Sequence, residues 1–436
     1  MTFKVIETFS GIGAQRKAFA KIHEKNLHLM YEIVATVEWE IGAMYAYDLI
    51  HHGKQELSKY AHLTKEELLI LLERYTLSSD GKEALTLGAL KRMPVEQLKA
   101  IFHSIEKNKN LVDISSVHAK DLPEADFLTY SFPCQDLSVS SSWHGNFTGI
   151  SKEANNRSGL LWEIERILKE YKEEKKEMPR FLLMENVTAI HSSLHDDNFN
   201  LWKKELQALG YRSRNLDLDA RYFGILQRRI RTFMLSVFEE DLNHLQKNMV
   251  RAFFEEWENS YFAREWEREL VRMDDFLRLD YTNETYRNEA RISTPNNTTV
   301  RQRIHKDSIL LAKGKKTTGE IARTITTKQD RYPNAGIIEY EDDFGEEKSK
   351  YRNLTARETF LLQGFEEADY QRLVDNNLQV TKSRFLLSHS KLLKLAGNSI
   401  VVNILEDIFM RVFELNNQLQ GASEMIPFPE KKKRFG

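Results

Sequence analysis

A single cysteine stands in the 436-residue chain, within Ser131-Phe132-Pro133-Cys134-Gln135 and directly after the apolar run Phe127-Leu128-Thr129-Tyr130. One cysteine makes neither a disulfide framework nor a cysteine-rich metal site, and no metal is expected. A lone thiol is either a small buried hydrophobe or a nucleophile. Its place behind a proline at the end of a strand-like run favours the nucleophile, because ligands in α/β sheets bind outside the carboxyl ends of strands. Glu185, in Glu185-Asn186-Val187, follows a second apolar run, Phe181-Leu182-Leu183-Met184, and so reaches the same edge. Gln227-Arg228-Arg229-Ile230-Arg231 supplies cations, with Arg229 and Arg231 alternating onto one face of a strand. Read alone, that stretch is a solvated edge strand. One thiol, one carboxyl and cations, without a metal, suit attack on a pyrimidine. Thiolate addition at C6 of a cytosine, with an acid holding a proton at N3, gives an enamine whose C5 attacks a methyl donor. Loss of the C5 proton and expulsion of the thiol then restore the ring. A base in a duplex must leave the stack for this to happen.

A methyl donor needs its own pocket. Phe9-Ser10-Gly11-Ile12-Gly13-Ala14 lies between a strand and a helix, where free N–H groups and a helix N-terminus face a ligand. The dinucleotide fingerprint is incomplete, since Arg16 takes the place of the third glycine. Glu38 ends the second strand, placed for ribose hydroxyls, and Trp39 beside it offers a stacking face for a purine. The pattern suits a nucleoside cofactor without a pyrophosphate, such as S-adenosylmethionine; the alternative is an ordinary tight turn and a surface glutamate.

The elements that must position these residues read as follows. Strands are expected over Lys4–Phe9, Tyr31–Val37, Phe127–Ser131, Phe181–Met184 and Thr232–Val237, and helices over Ala14–Lys25 and from a Ser158 cap, with Leu160, Leu161, Ile164, Ile167, Leu168 and Tyr171 on the apolar face. Short apolar runs alternating with helical patterns imply a mostly parallel sheet covered by helices. Residues 54–110 are charged, helical in pattern and read as an insertion. Asp136 to Arg157 reads as a long loop, functional or mobile. Further helices are expected near Leu354–Glu358 and, opened by Gly397-Asn398-Ser399, over Ile400–Val412; the tail at Glu430–Arg434 reads as disordered.

Composition is ordinary: 41% hydrophobic, 29% charged and a formal net charge of −2. No stretch approaches the ~18 apolar residues of a membrane span, and no secretory h-region opens the chain, so a reducing cytosol is expected. Charge is uneven. Residues 239–289 carry seven positive and fourteen negative groups, whereas 291–331 carry ten positive and three negative. The second segment, with Arg301, Arg303, Lys306, Lys313, Lys315, Lys316, Arg323, Lys328 and Arg331, is either a phosphate-contacting face or a solvated basic loop.

In order along nearly the whole chain, these motifs resemble those of bacterial DNA cytosine-5 methyltransferases. Phe9 to Ala14 resembles the cofactor loop, with Thr8 in place of the usual leucine. Glu38-Trp39 and Asp113-Ile114 match the ribose and adenine contacts, Asp113 standing 21 residues before Cys134. Phe132-Pro133-Cys134-Gln135 matches the nucleophile motif, Glu185-Asn186-Val187 the acid motif, and Gln227, Arg229 and Arg231 the Gln-x-Arg-x-Arg motif. Ser138 and Ser140 fall in the catalytic loop and are expected at the DNA. Arg323-Thr324-Ile325 resembles the motif that scaffolds the recognition domain, and Gly397-Asn398-Ser399 the final motif. Thr129 to Ser138 and Arg157 to Arg166 look most like the branch that includes mollicute CpG methylases; the CpG target itself is not carried over. Ala356 departs from the family's proline in Leu354-Thr355-Ala356-Arg357-Glu358, and the 54–110 insertion is longer than in compact members.

The resemblance implies an α/β, Rossmann-like S-adenosylmethionine-dependent catalytic domain over 1–240, a smaller target-recognition domain over 241–385, and a segment over 386–436 that returns to the first. It implies Cys134, Glu185, Arg229, Arg231 and Gln227 as catalytic residues. The cofactor residues implied are Phe9, Gly11, Ile12, Gly13, Ala14, Glu38, Trp39, Asp113, Ile114, Pro133, Leu161, Asn398 and Ser399. DNA is expected at Ser138, Ser140, Arg301, Arg303 and Arg323, with Asn296, Asn297, Thr298, Thr299 and Gln302 as base-edge candidates. The implied partners are double-stranded DNA and a cognate restriction endonuclease encoded nearby, with the protein a monomer. Among rivals, RNA methylases of the two-thiol type need a second cysteine, and the transfer-RNA enzymes of this fold carry Cys-Phe-Thr. Amino-methylating enzymes need a Pro-Pro pair that is absent here. A regulator on the same fold would not need Cys134, Glu185, Arg229 and Arg231 together.

Overall fold

The molecule is organised on one six-stranded sheet, here taken from a computed structural model that describes residues 2–133, 157–264, 271–343, 345 and 347–421. Cys134, Gln135, Ser138, Ser140, most of the loop expected over Asp136–Arg157 and the tail at Glu430–Arg434 lie outside the described residues. The strands are β1 (Phe3–Thr8), β2 (Tyr31–Val37), β3 (Phe127–Tyr130), β4 (Phe181–Val187), β5 (Tyr211–Asp219) and, after the short β6 (Gln227–Arg228), β7 (Ile230–Phe238). Their order is β2-β1-β3-β4-β7-β5. The first three pairings are parallel and the two made by β7 antiparallel, so the sheet is α/β and mostly parallel.

Both faces of this sheet are covered. Phe3, Phe127 and Phe181 pack on one face against α1 (Ala14–Lys25) and the last helix, α14 (Val402–Leu419). Phe19 of α1 stacks on Phe409 with centroids 4.1 Å apart, and Phe3 meets Phe413 at 4.8 Å. The alternate positions Ile6, Leu128, Tyr130, Leu182 and Met184 face the other side. There they meet α6 (Leu161–Glu173) and α7 (Asp196–Ala208), through Ile164, Ile167, Leu168, Phe199 and Trp202. Two-sided burial explains why these strands read as continuous apolar runs. β5 escaped the sequence reading because it lies at the sheet edge, its Arg212, Arg214 and Asp217 solvated while Leu216 and Leu218 enter the core. The Ser158 cap is also corrected: a 3₁₀ turn over Arg157–Leu160 precedes α6, which is flanked by Leu160 without a side-chain cap.

After α2 (Ile41–His52), the 54–110 stretch folds into α3 (Lys65–Leu72), α4 (Leu87–Lys91) and α5 (Val95–Lys107). It builds its own core of Leu68, Leu72, Leu77, Leu98 and Ile101 on Ile41 and Met44 of α2. The second half opens with α8 (His244–Phe262), α9 (Glu284–Ile292) and α10 (Thr299–Lys306). A four-stranded sheet follows, built from β8 (Leu310–Lys313), β9 (Lys316–Thr317), β11 (Ile337–Glu339) and β12 (Tyr351–Asn353). Between them β10 (Ala322–Arg323) leaves to pair in parallel with β6.

Leu354-Thr355-Ala356-Arg357-Glu358 starts α11 (Ala356–Leu361) with a capping box between Thr355 and Glu358. Ala356 is the first helical residue, where an unpaired N–H is normal, so alanine in the family's proline position forfeits no hydrogen bond. Here α11 and α12 (Glu367–Asp375) already pack on the first half, Lys17 of α1 pairing with Glu366 at 2.8 Å and Asp369 at 3.0 Å. Then α13 (His389–Asn398) ends in Gly397-Asn398, which close this helix rather than open the next.

Two buried ionisable groups carry testable consequences. Arg352, fully buried, makes a two-point pair with Glu358 at 2.7 and 2.8 Å. Arg352→Met strands that carboxylate and should cost about 3–5 kcal/mol of stability in urea unfolding. Glu7 of β1, also fully buried, accepts the Tyr47 hydroxyl at 2.8 Å. Burial pushes its carboxyl up to about 7, against 4.5 for a free one. The folded chain thus holds a proton there that the unfolded chain has lost, and this contribution to stability falls as pH rises from about 4.5 to about 7. Glu7→Gln should flatten the stability–pH curve in that window by on the order of 3 kcal/mol.

Candidate active site

The carboxyl ends of β1 to β4 open onto one cavity of about 440 Å³. Because these strands are parallel, the residues that follow each of them meet at the same edge: Phe9 to Ile12 after β1, Glu38 to Glu40 after β2, Ser131 to Pro133 after β3, and Glu185 to Val187 at the end of β4. Val112 to Ser115 add a side wall, and Gly397 to Ile400 close the cavity from the C-terminal region. The antiparallel sense of β7 matters here. Its amino end lies at the carboxyl end of β4, Arg231 standing opposite Val187, which brings the Gln-x-Arg-x-Arg stretch to the cavity.

The glycine loop is built by backbone conformation. Phe9, Gly11 and Gly13 all have positive φ, at 54°, 55° and 78°. A β-carbon on Gly13 would sit 2.2 Å from His51 Nε2 and 2.7 Å from the Tyr47 ring, so this glycine permits close packing on α2 and does not line the cavity. Gly11, Ile12 and Ala14 do line it. Glu38 accepts the Gly11 N–H at 3.0 Å and the Glu40 N–H at 2.8 Å, which ties the two strand ends together. Burial and the neighbouring Glu40 push its carboxyl up to about 7. Trp39, Asp113, Ile114, Pro133, Asn398 and Ser399 also line the cavity. Leu161 does not. It is fully buried in the core between β3, β4 and α6, and Leu160 takes the place at the wall.

This wall fits a nucleoside cofactor and not a dinucleotide. Carboxylates stand at Glu38 and Asp113, an aromatic face at Trp39, and an open glycine at Gly11. Arg16, which fills the third-glycine position, turns away to the Tyr47 ring and to His52 at 3.2 Å, so it offers no charge to a pyrophosphate.

At the other end lies Glu185, its carboxyl pushed up by burial against the opposing pull of Arg231 and Arg229. Arg231 Nε stands 3.5 Å from Glu185 Oε1, and another of its nitrogens donates to the Ile230 carbonyl. Asn186 donates to the Phe132 carbonyl at 3.1 Å, and Ser131 to the Phe9 carbonyl at 3.3 Å. These bonds fix the Phe132-Pro133 turn against the acid motif at the last described residue before Cys134. Arg229, only 3% exposed, lines the cavity but spends its guanidinium on the carbonyls of Ile325, Gly397 and Ser399 at 3.0, 3.2 and 2.8 Å. Gln227, expected among the catalytic residues, lies behind the cavity. Its amide donates to the Leu362 carbonyl and accepts the Ile325 N–H, at 2.8 and 2.9 Å, joining β6 to the Arg323-Thr324-Ile325 segment.

The expected DNA residues divide. Arg303 and Arg323 are exposed. Arg301 is committed internally, to the carbonyls of Arg331 and Asp330. Thr298 is the N-cap of α10, and Asn297 accepts from Gln302 at 3.0 Å. Ser138 and Ser140 are outside the described residues. The sequence reading missed Asp80, Gly81 and Lys394 at the cavity. The Asp80-Gly81 pair signals a turn, but nothing in the chain places that turn beside Glu38.

The C-5 cytosine-specific DNA methylase family matches residues 92–414. The chain is 31% identical over 430 residues to the orphan methyltransferase M.SssI of Spiroplasma monobiae, covering 94% of this chain and 97% of that one. It is also 31% identical over 414 residues to the type II methyltransferase M2.ScrFI of Lactococcus lactis subsp. cremoris, covering 94% and 99%. Among solved structures, S. pombe Dnmt2 methyltransferase superposes with a TM-score of 0.56 at 17% identity, over 95% of this chain and 99% of that one, a likeness of fold. With the family matched over most of its length and two relatives alike from end to end, the chain belongs to the C-5 cytosine-specific DNA methylases and is a DNA (cytosine-5-)-methyltransferase.

Proposed function

We propose that the protein methylates C5 of a flipped cytosine in a short duplex DNA site through a covalent bond between Cys134 Sγ and C6. The observation that carries this reading is the convergence on one cavity of a partly buried acid with its arginine (Glu185 and Arg231), the Phe132-Pro133 segment that Asn186 holds and that precedes Cys134 in the chain, and a nucleoside wall. In this reading the wall from Phe9 to Ala14, Glu38, Trp39 and Asp113 holds S-adenosylmethionine, which supplies an electrophilic methyl group. Glu185 holds a proton at N3 of the base, a task suited to a carboxyl that burial keeps protonated to higher pH. Arg231 steadies that carboxyl and faces the negative charge of the incoming thiolate. Cys134 adds to C6, and its bond breaks again when the C5 proton is lost.

Exposed Arg303 and Arg323, with neighbouring lysines, are assigned to DNA phosphates, and the second half to sequence recognition. Residues 1–240 are assigned to the catalytic domain, with the C-terminal helices completing it. A protective role in restriction–modification is the reading favoured by the type II relative; the other relative is designated an orphan methyltransferase. A nuclease of the same specificity encoded beside this chain decides between them. A single species at monomer mass in size-exclusion chromatography is expected.

Bisulfite sequencing of DNA from cells expressing the protein should reveal methylation at C5 within one short motif. Cys134→Ala should abolish it, together with the adduct trapped by 5-fluorocytosine DNA, and normal methylation by that variant would exclude the covalent route. Glu185→Gln should slow single-turnover methylation by ~10²–10⁴-fold. Gln227→Leu separates support from chemistry. It should cost about 2–4 kcal/mol of stability by unpairing two buried backbone groups, with single-turnover rates on folded enzyme within about tenfold of wild type, less than loss of an acid costs.

A further inference from the structure

The 54–110 insertion contributes a wall to the cofactor cavity. Its loop Ser78-Ser79-Asp80-Gly81 lies beside Trp39, with the Ser78 N–H donating to the Trp39 carbonyl at 2.8 Å and the Ile41 N–H donating to the Ser78 carbonyl at 2.9 Å. Within the loop, Ser78 Oγ donates to the Glu83 carbonyl at 2.6 Å and accepts the Gly81 N–H at 3.0 Å. Gly81, with a φ of +72°, turns its open side toward Glu40. The loop is then locked from the far end of the chain. Lys391 and Lys394, three apart on α13 and so on one helix face, converge on Glu40, at 2.5 and 3.3 Å. Lys391 also donates to the Ser79 carbonyl at 2.6 Å, and Lys394 to the Asp80 carbonyl. Glu40 is 5% exposed, and Glu40, Asp80, Gly81 and Lys394 all line the cavity next to Glu38.

We propose that the Ser78–Gly81 loop is the retaining wall for the nucleoside end of bound S-adenosylmethionine, held shut by a clasp of Lys391 and Lys394 on Glu40 and the loop carbonyls, so that the cofactor leaves when the clasp opens. This rests on the reading of the cavity as the S-adenosylmethionine site. The clasp adds α13, from the far end of the chain, to two segments that already meet in a single parallel bridge between Glu40 and Ser78, the end of β2 and the insertion. Its strength is that of charge-assisted hydrogen bonds, partly buried at Glu40 and open to solvent at the Ser79 and Asp80 carbonyls. Lys394 touches the cavity itself, while Lys391 acts as a positioning residue through Glu40 and Ser79.

The test is the dissociation rate of S-adenosylhomocysteine from the full-length protein, read by stopped-flow displacement. Lys394→Met should raise that rate about tenfold, and Lys391→Met/Lys394→Met further, as expected for the loss of charged hydrogen bonds. The association rate should stay within about threefold, because variants of one site differ mostly in dissociation. Lys394→Arg should restore slow release. Variants that melt at lower temperature yet release the ligand at the wild-type rate would show a merely structural clasp and overturn the inference. Hydrogen exchange on the unmutated protein gives a second reading that needs no variant. Saturating S-adenosylhomocysteine should slow exchange of the Ser78 to Gly81 amides, and unchanged exchange overturns the retaining wall. Wild-type protein that binds neither S-adenosylmethionine nor S-adenosylhomocysteine would instead remove the cofactor reading, and this inference with it.

Discussion

Arg229 is the knot on which the site depends. Its buried guanidinium ties the carbonyls of Ile325, Gly397 and Ser399 to the end of the catalytic sheet. Burying such a charge is expensive unless its donors are used and a counter-charge is near. Here carbonyls at the end of α13, which have no partner within the helix, take two of the bonds, and the Glu185 carboxyl feels its charge. One side chain thereby closes the cavity, binds the Arg323-Thr324-Ile325 segment to the first half and tunes the acid. Gly397 is the steric counterpart. A β-carbon there would stand 2.6 Å from the Thr326 carbonyl carbon, so only glycine lets α13 approach closely enough for Arg229 to reach.

Within the second half, ion pairs join elements that are distant in sequence. Arg357, almost fully buried, pairs with Glu289 and Glu367, while Arg352 pairs with Glu358 within the same stretch. Arg287 and Arg291 both grip Asp342, which holds its carboxyl well below the usual range. Removing one partner of the buried Arg352–Glu358 or Arg357–Glu289 pairs would strand the other in a low-dielectric interior, whereas the half-exposed Arg287 and Arg291 are partly solvated. Contacts of this kind also sort the basic stretch found by counting charges. Arg291 and Arg301 are engaged with Asp342 and with the Asp330 and Arg331 carbonyls, which leaves Arg303, Lys306, Lys313, Lys315, Lys316, Arg323, Lys328 and Arg331 on the outside.

Most of the cavity wall was legible because it is encoded locally. Gly11-Ile12-Gly13 follows a strand and precedes a helix, and Glu38-Trp39 ends the next strand, so parallel pairing suffices to bring them together. The apolar runs of β1, β3 and β4 announced a sheet buried on both faces. β5 did not announce itself, because an edge strand with Arg212 and Arg214 in solvent carries too few apolar positions. Leu161 was misplaced by one residue. Along a helix each residue turns the side chain by about 100°, so Leu160 meets the cavity and Leu161 enters the core.

By itself the sequence determined which chemistry the chain is equipped for: one thiol, one strand-end carboxyl, two arginines at alternating positions, and a glycine turn without a third glycine. Those are matters of residue type and short spacing, and covalent connectivity settles them. Tertiary structure alone decided the division of labour. Arg231 stays with Glu185, Arg229 and Gln227 turn to backbone carbonyls and amides of distant segments, and Lys391 and Lys394 reach the far side of the cavity. The physical reason is that a buried donor takes whichever acceptor the packed elements bring within about 3 Å, and for Gln227, Arg229, Lys391 and Lys394 that acceptor lies roughly a hundred residues or more away in the chain.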